Sequence, residues 1–277
     1  HEGAEQVLIP ITKAGVIDLD FLRNIVQTRG SEIVVISIMH SNNELGSIQP
    51  IAEIVKIAGD IPVHTDAVQS FGKVEFDFAA LNVTAATISA HKIGGPLGVA
   101  ALILKRGLDL TPVLHGGGQE REIRSGTLNA PSIVAFTAAA EYAIANMATN
   151  FKKIRELRDY FVTELKKCVT DVSINSITDP ALPGIVNATF LGTESDALLL
   201  LLDTEGISAS AGSACSAGVP RPSHVLVALG LSESDADASL RISIGTTNTK
   251  AEIDQVLAIL PSVVERARNA FVVSELN

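Results

Sequence analysis

The first half of the chain alternates short apolar runs with segments of helical spacing. Four runs are rich in aliphatic side chains and too short for helices, so they predict strands at residues 32–40, 61–67, 84–92 and 98–105. Residues 51–59 place apolar side chains at three- and four-residue steps and end at a glycine, which predicts a helix. Strands alternating with helices predict an α/β fold with a mostly parallel sheet, and the fourth run predicts a hairpin-like return.

The second half has a different pattern. It begins with two helical segments, and we expect a domain boundary near residue 148, between them. The prediction is therefore a large domain over residues 1–148 and a smaller α+β domain over 149–277. The elements predicted after residue 129 are helices at 130–148, 150–168, 195–206 and 250–271, the last interrupted or kinked near Pro261, and strands at 184–190 and 240–245.

Composition narrows the classes of function. The chain is 47% hydrophobic and 19% charged, as expected of a globular protein with a real core, and its formal net charge is −10. That charge argues against a nucleic-acid partner or an anionic membrane surface. The longest apolar run, at 197–203, is too short to cross a bilayer. Two cysteines and no secretory signal predict a reducing, cytoplasmic location.

Polar side chains cluster where the predicted strands end. In open α/β sheets ligands bind outside the carboxyl ends of the strands. A lysine at such an end can form a Schiff base, although most lysines are simply solvated. An aspartate on a neighbouring strand end suits a protonated pyridine nitrogen, as in pyridoxal phosphate enzymes, or it caps a helix that begins at Ala67. The residues in question are Asn43, Asp66, Gln69, Ser89, His91 and Lys92.

Other candidates lie further along the chain. Residues 124–127 place an arginine and two hydroxyl groups before a helix, which suits an anion. Arg241 has apolar neighbours on both sides, which favours partial burial over a surface ion pair. Cys215 lies among glycines, serines and alanines that cannot pack around it. Cys168 lies on a predicted amphipathic helix, and we interpret it as structural or incidental. His40 and His115 are possible pocket residues.

Seven stretches, in order and across nearly the whole chain, resemble the NifS/IscS-type cysteine desulfurases. These are fold-type-I pyridoxal phosphate enzymes of the class V aminotransferase family, with a mostly parallel, seven-stranded type of sheet in the large domain. The matching stretches are residues 39–50, 64–73, 89–102, 115–131, 212–218, 222–230 and 240–245.

The resemblance implies roles for the polar residues. Lys92 would bind pyridoxal phosphate covalently, and Asp66 would pair with its pyridine nitrogen. Gln69 would donate a hydrogen bond to the ring oxygen, and Asn43 would contact cofactor or substrate. Ser89, His91 and Thr127 would hold phosphate, Thr127 that of a neighbouring subunit, which implies a homodimer.

Two further residues receive roles in the reaction. Arg241 would grip the substrate α-carboxylate, and Cys215 would be the nucleophile. The implied reaction removes sulfur from L-cysteine, leaving L-alanine and a persulfide on Cys215. The sulfur would pass to an acceptor or iron–sulfur scaffold protein for cluster and thiocofactor synthesis. No resident metal is expected, and a transient contact of Cys215 with a cluster is left open.

One departure from the family pattern leaves alternatives open. The family has an earlier segment that supplies a phosphate-binding threonine and a ring-stacking histidine, and neither is found here. We therefore expect the chain to begin partway through the large domain. A selenocysteine lyase or cysteine-sulfinate desulfinase would use almost the same site. A non-catalytic fragment or subunit is the alternative of a different class.

Overall fold

The computed structural model describes residues 3–177, 179–212 and 222–275, with side chains described as far as residue 270. Its helices are α1 (Leu19–Arg29), α2 (Ile51–Ala58), α3 (Phe78–Leu81), α4 (Ala130–Cys168), α5 (Ser195–Thr204), α6 (His224–Leu229), α7 (Glu233–Asp237) and α8 (Lys250–Glu275). Its strands are β1 (Ile36–Met39), β2 (Val63–Asp66), β3 (Ala85–Ser89), β4 (Ala100–Leu104), β5 (Val172–Ile174), β6 (Ile185–Phe190) and β7 (Ser239–Ser243). Within these residues, no helix has both the length and the apolar character needed to span a membrane.

The chain divides into two compact units. The first, called here the sheet unit, contains Arg23–His40 and Pro50–Ala148. The second, the C-terminal unit, contains the residues up to Leu22, Ser41–Gln49 and the chain from Thr149 onward. The predicted domains at residues 1–148 and 149–277 stay a prediction.

The sheet unit is built on four strands in the order β1-β2-β3-β4. The first two pairings along the chain, β1 with β2 and β2 with β3, are parallel, and β4 returns antiparallel to β3. The predicted mostly parallel α/β sheet and the hairpin-like return are thus confirmed. An apolar cluster of Ala67, Ile88, Ala90 and Phe136 packs on this sheet.

The C-terminal unit has an antiparallel sheet in the order β5-β6-β7. Its core is large and aliphatic, and it includes the fully buried Phe161, Phe190, Leu198, Leu240 and Leu260. These side chains come from α4, β6, α5, β7 and α8, so each predicted element of this region contributes to one core.

Two details of the predicted helices are wrong. The segments at 130–148 and 150–168 form one uninterrupted helix, α4. Thr149 and Asn150 are weak helix formers, but each costs only about 0.7 kcal/mol or less, and neither is a proline or glycine. The predicted interruption at Pro261 does not occur either, because α8 continues through it, whereas the alternative of a kink there stays a prediction. Burial of Leu257, Leu260 and Val264 in the core offsets the hydrogen bond that the proline removes.

Candidate functional site

Three strand ends of the sheet unit form one polar edge. Since β1, β2 and β3 run parallel, their carboxyl ends meet on the same side of the sheet. Asp66 ends β2 and Ser89 ends β3, while His40 follows β1 and its main-chain N–H donates to the Asp66 carbonyl over 2.8 Å. The structure therefore brings the predicted strand-end residues of this unit to one edge, as their positions in the sequence indicated.

Asp66 is half-buried and fixes the turn that follows it. Its Oδ1 accepts a hydrogen bond from the Val68 main-chain N–H over 2.9 Å, while Oδ2 has no partner among the described residues. No helix begins at Ala67, so the alternative of a helix cap is wrong, and Asp66 caps a turn instead. This contact is compatible with a second role as the partner of a cationic nitrogen. One carboxylate oxygen holds the turn and leaves the other to accept a hydrogen bond.

Lys92 follows β3 in a short 3-10 helix, Ala90–Ile93. It is half-buried, and the turn after it depends on small residues, since a Cβ at Gly95 would lie 2.9 Å from the Ala90 Cβ. Next to it, the Ser89 hydroxyl and the His91 Nδ1 are hydrogen-bonded over 2.7 Å. Ser89 is buried and His91 is exposed, so this pair presents the second ring nitrogen of the imidazole outward.

Gln69 lies in the turn after Asp66 and contacts a second lysine. The Lys73 ammonium donates to the Gln69 Oε1 over 3.3 Å. Burial and, to a smaller extent, the positive charge of Lys92 together lower the pKa of Lys73 to about 8. Lys73 is the basic residue of this edge that the sequence analysis missed. Its four-residue spacing from Gln69 was the available signal.

The histidines considered as pocket residues differ in their surroundings. His40 is 5% exposed, its Nδ1 is hydrogen-bonded to the Ser70 hydroxyl over 2.7 Å, and its ring meets Phe76 edge to face. Burial lowers the pKa of His40, which favours the neutral ring. These contacts make His40 a core residue beneath the polar edge. His115 is exposed, as is Thr127 in the segment before α4.

Arg241 of the C-terminal unit has unused hydrogen-bonding capacity. It is half-buried on β7, and its Nη1 donates to the Asn43 carbonyl oxygen over 3.3 Å. Its Nε is buried and has no partner in the described part of the chain. A buried guanidinium donor without an acceptor is costly, so this geometry fits an anion bound beside it.

The C-terminal unit also contains a buried carboxylate. Glu44, which follows Asn43, is 1% exposed and accepts a hydrogen bond of 2.5 Å from the Ser223 hydroxyl. Ser223 also caps α6 by accepting from the Val225 and Leu226 N–H groups. This contact joins residues far apart in the chain, and the sequence analysis did not find it.

Of the two cysteines, only Cys168 is among the residues that the structure describes. Cys215 lies outside the described residues. Cys168 is exposed at the end of α4, and its sulfur is 3.6 Å from the Leu165 carbonyl oxygen. Partial burial raises the pKa of the Cys168 thiol, which disfavours the reactive thiolate.

Comparison with known proteins identifies the class. A family model described as aminotransferase class-V matches residues 1–256. The chain therefore belongs to the class-V aminotransferase family.

The relatives narrow this to one group. The chain is 43% identical to an "IscS-like cysteine desulfurase" of Mycobacterium tuberculosis over 98% of its own length and 69% of that protein. Its fold matches a "NifS-like protein" from Rickettsia africae with a TM-score of 0.85 at 35% identity, over 93% of this chain and 69% of that one. A structure titled "SspA in complex with cysteine" matches with a TM-score of 0.70 at 34% identity, over 88% of this chain and 67% of the other. Within the class-V family, this chain is thus one of the NifS/IscS-type cysteine desulfurases, as the sequence motifs predicted.

Proposed function

We propose that the protein uses pyridoxal phosphate to take sulfur from L-cysteine, leaving L-alanine and a persulfide on Cys215. The observation that carries this proposal is the polar edge of the sheet unit, where Asp66 and Ser89 end neighbouring strands and Lys92 follows the second of them. The 43% identity to an IscS-like cysteine desulfurase supports the choice of substrate.

The side chains of this edge match the functional groups of pyridoxal phosphate. The Lys92 amine suits the aldehyde, the Asp66 carboxylate suits the pyridine nitrogen, and the Gln69 amide suits the ring oxygen. Ser89 and His91 supply a hydroxyl and an imidazole for the phosphate, with Asn43 near the substrate and Thr127 reaching the partner subunit's site. When bound, the cofactor supplies an electron sink for the substrate carbon.

Arg241 binds the substrate α-carboxylate. Its buried Nε lacks an acceptor, so a carboxylate there completes the hydrogen bonding of the guanidinium. A planar fork of two N–H donors also fixes the orientation of the amino acid, which a single ammonium group does not.

Cys215 receives the sulfur. Its thiolate attacks the substrate sulfur, the substrate C–S bond breaks, and an S–S bond forms on Cys215. The electron pair of the C–S bond goes to the substrate carbon, which takes up a proton as alanine forms. A thiol or acceptor protein then removes the terminal sulfur by the usual thiolate exchange.

Replacing Arg241 by lysine is expected to raise KM for L-cysteine by about 10- to 100-fold, because one charge-assisted hydrogen bond contributes about 1.5–3 kcal/mol. Steady-state kinetics of alanine formation measure this. Arg268→Lys is the matched control, since Arg268 binds only main-chain and threonine oxygens of the described residues at the Leu191 and Thr170 turns. An unchanged KM in Arg241→Lys would remove Arg241 from the substrate site.

The same proposal includes the wider setting of the reaction. The protein is a homodimer in which Thr127 serves the neighbouring site, and it works in the cytoplasm, where thiols stay reduced. A sulfur acceptor or iron–sulfur scaffold protein takes the persulfide sulfur for cluster and thiocofactor synthesis.

The test is a reaction with defined products. The purified protein is incubated with pyridoxal phosphate, L-cysteine and a thiol reductant, and alanine and sulfide are measured separately. We expect one sulfide per alanine. Selenocysteine and cysteine sulfinate are run in parallel, and a much higher kcat/KM for either would replace cysteine as the substrate. No alanine from any of the three would contradict the proposed function.

A further inference from the structure

Lys73 is a half-buried cation with an unusual environment. Among the described residues no carboxylate lies within ion-pair distance of it, and its hydrogen bond goes to a neutral amide, the Gln69 Oε1, over 3.3 Å. Burying an ammonium group without a counter-ion is unfavourable. A surface ion pair therefore does not explain why the half-buried Lys73 ammonium is present at this position.

The backbone between Gln69 and Lys73 holds these two side chains on one side of the turn. The Phe71 N–H donates to the Ala67 carbonyl and the Val74 N–H to the Ser70 carbonyl, over 2.9 and 3.1 Å. Between these turns the Lys73 ammonium reaches the Gln69 amide oxygen, which lies four residues earlier in the chain. Gly72 has a φ of +71°, and a Cβ there would lie 2.8 Å from the Ala143 Cβ. Packing therefore fixes the turn, and with it the backbone position from which the Lys73 side chain extends.

Hydrogen-bond chemistry sets which end of the Gln69 amide faces Lys73. An ammonium group only donates, so the amide must present its oxygen to Lys73. The Gln69 NH2 group, which only donates, then turns away from Lys73. Without Lys73, the two ends of the amide could exchange places at little cost.

We propose that Lys73 is a positioning residue of the cofactor site, which holds the Gln69 amide with its NH2 group directed at the ring oxygen of pyridoxal phosphate. This inference rests on the proposed function, in which Gln69 contacts that oxygen. The same ammonium places a positive charge near Lys92, and this charge disfavours a further proton on the nitrogen that would join Lys92 to the cofactor. Both effects stabilise the deprotonated state of the lysine-bound cofactor.

A spectroscopic pH titration tests the proposal without depending on turnover. In the protein loaded with pyridoxal phosphate, the visible absorbance reports protonation of the nitrogen that joins Lys92 to the cofactor. Lys73→Met is expected to raise the pKa of this transition by about one unit, since a weaker donor at the ring oxygen and a lost positive charge both favour the protonated form. Lys73→Arg keeps a donor and a charge, so it is expected to shift the pKa by less than half as much.

A double-variant cycle separates the role through Gln69 from a simple charge effect. In a Gln69→Leu background, Lys73→Met is expected to shift the pKa by less than half of its effect in the native background. Equal shifts in both backgrounds, or no shift in either, would overturn the positioning role. Failure of the proposed function looks different, because the unmodified protein would then develop no visible absorbance with pyridoxal phosphate.

Discussion

Alanine in place of Lys92 is expected to remove the visible absorbance of bound pyridoxal phosphate and to lower alanine formation from cysteine by about 10²–10⁴-fold or more. The side chain supplies both the covalent attachment and the nearest movable proton, and loss of an acid–base group alone has an effect of this size. Absorption spectra after gel filtration and single-turnover alanine assays measure the two losses separately.

Lys105→Ala provides the control for this prediction. Lys105 is exposed just after β4 in the same unit, and its Nζ donates to Asn82 over 3.1 Å. We expect this variant to keep both absorbance and activity. If Lys92→Ala kept a visible band of native intensity that resisted gel filtration, another lysine would have to be the anchor. Lys73, the other lysine of this edge, would be the first to test.

The Cys215→Ala variant is expected to lose sulfide release by at least about 10³-fold while it still binds pyridoxal phosphate. A thiolate nucleophile has no substitute in alanine, and residues that act as one unit lose most of the rate when one is removed. The Cys168→Ala control is expected to change the rate less than twofold, because Cys168 has no role in the proposed reaction and the raised pKa of its thiol disfavours the thiolate. Sulfide release at the native rate from Cys215→Ala would contradict the nucleophile assignment.

The sheet that carries the site was predictable because its signals are local. Buried parallel strands have short runs of aliphatic residues in their sequence, and the polar residues that end these runs can be identified there as well. The strand limits were less predictable. The first run was expected to begin at residue 32, but β1 begins at Ile36, where it pairs with Val63 of β2. Val34 and Val35 are exposed ahead of that pairing. The start of a strand depends on where its partner begins, which the run itself does not encode.

Contacts between distant parts of the chain were the least predictable. The hydrogen bond between Ser223 and the buried Glu44 joins residues 179 positions apart, and the orphaned Nε of Arg241 is apparent only once burial is known. β5 was also missed, since it is three residues long and exists by pairing with β6. The chemistry of the strand ends could therefore be predicted from residue types. Contacts between side chains, such as the hydrogen bond between Lys73 and Gln69, could be recognised only in the folded structure.

Helix α4 is continuous, although the local sequence pattern predicted a break in it. The sequence pattern predicted two helices with a boundary near residue 148, yet the helical turns on both sides bury Ala143 and Ile154 and continue through it. A small unfavourable propensity at two positions is outweighed by burial on both sides, since each buried aliphatic side chain contributes about 1.5–3 kcal/mol.

The mass of the Cys215 peptide tests the central claim most directly. The protein loaded with pyridoxal phosphate is mixed with L-cysteine in the absence of reductant, alkylated, digested and analysed by mass spectrometry. The account predicts one additional sulfur atom on the peptide that contains Cys215, formed together with one alanine, and none on the peptide that contains Cys168. Alanine formed without added sulfur on Cys215, or with the sulfur on Cys168, would contradict it.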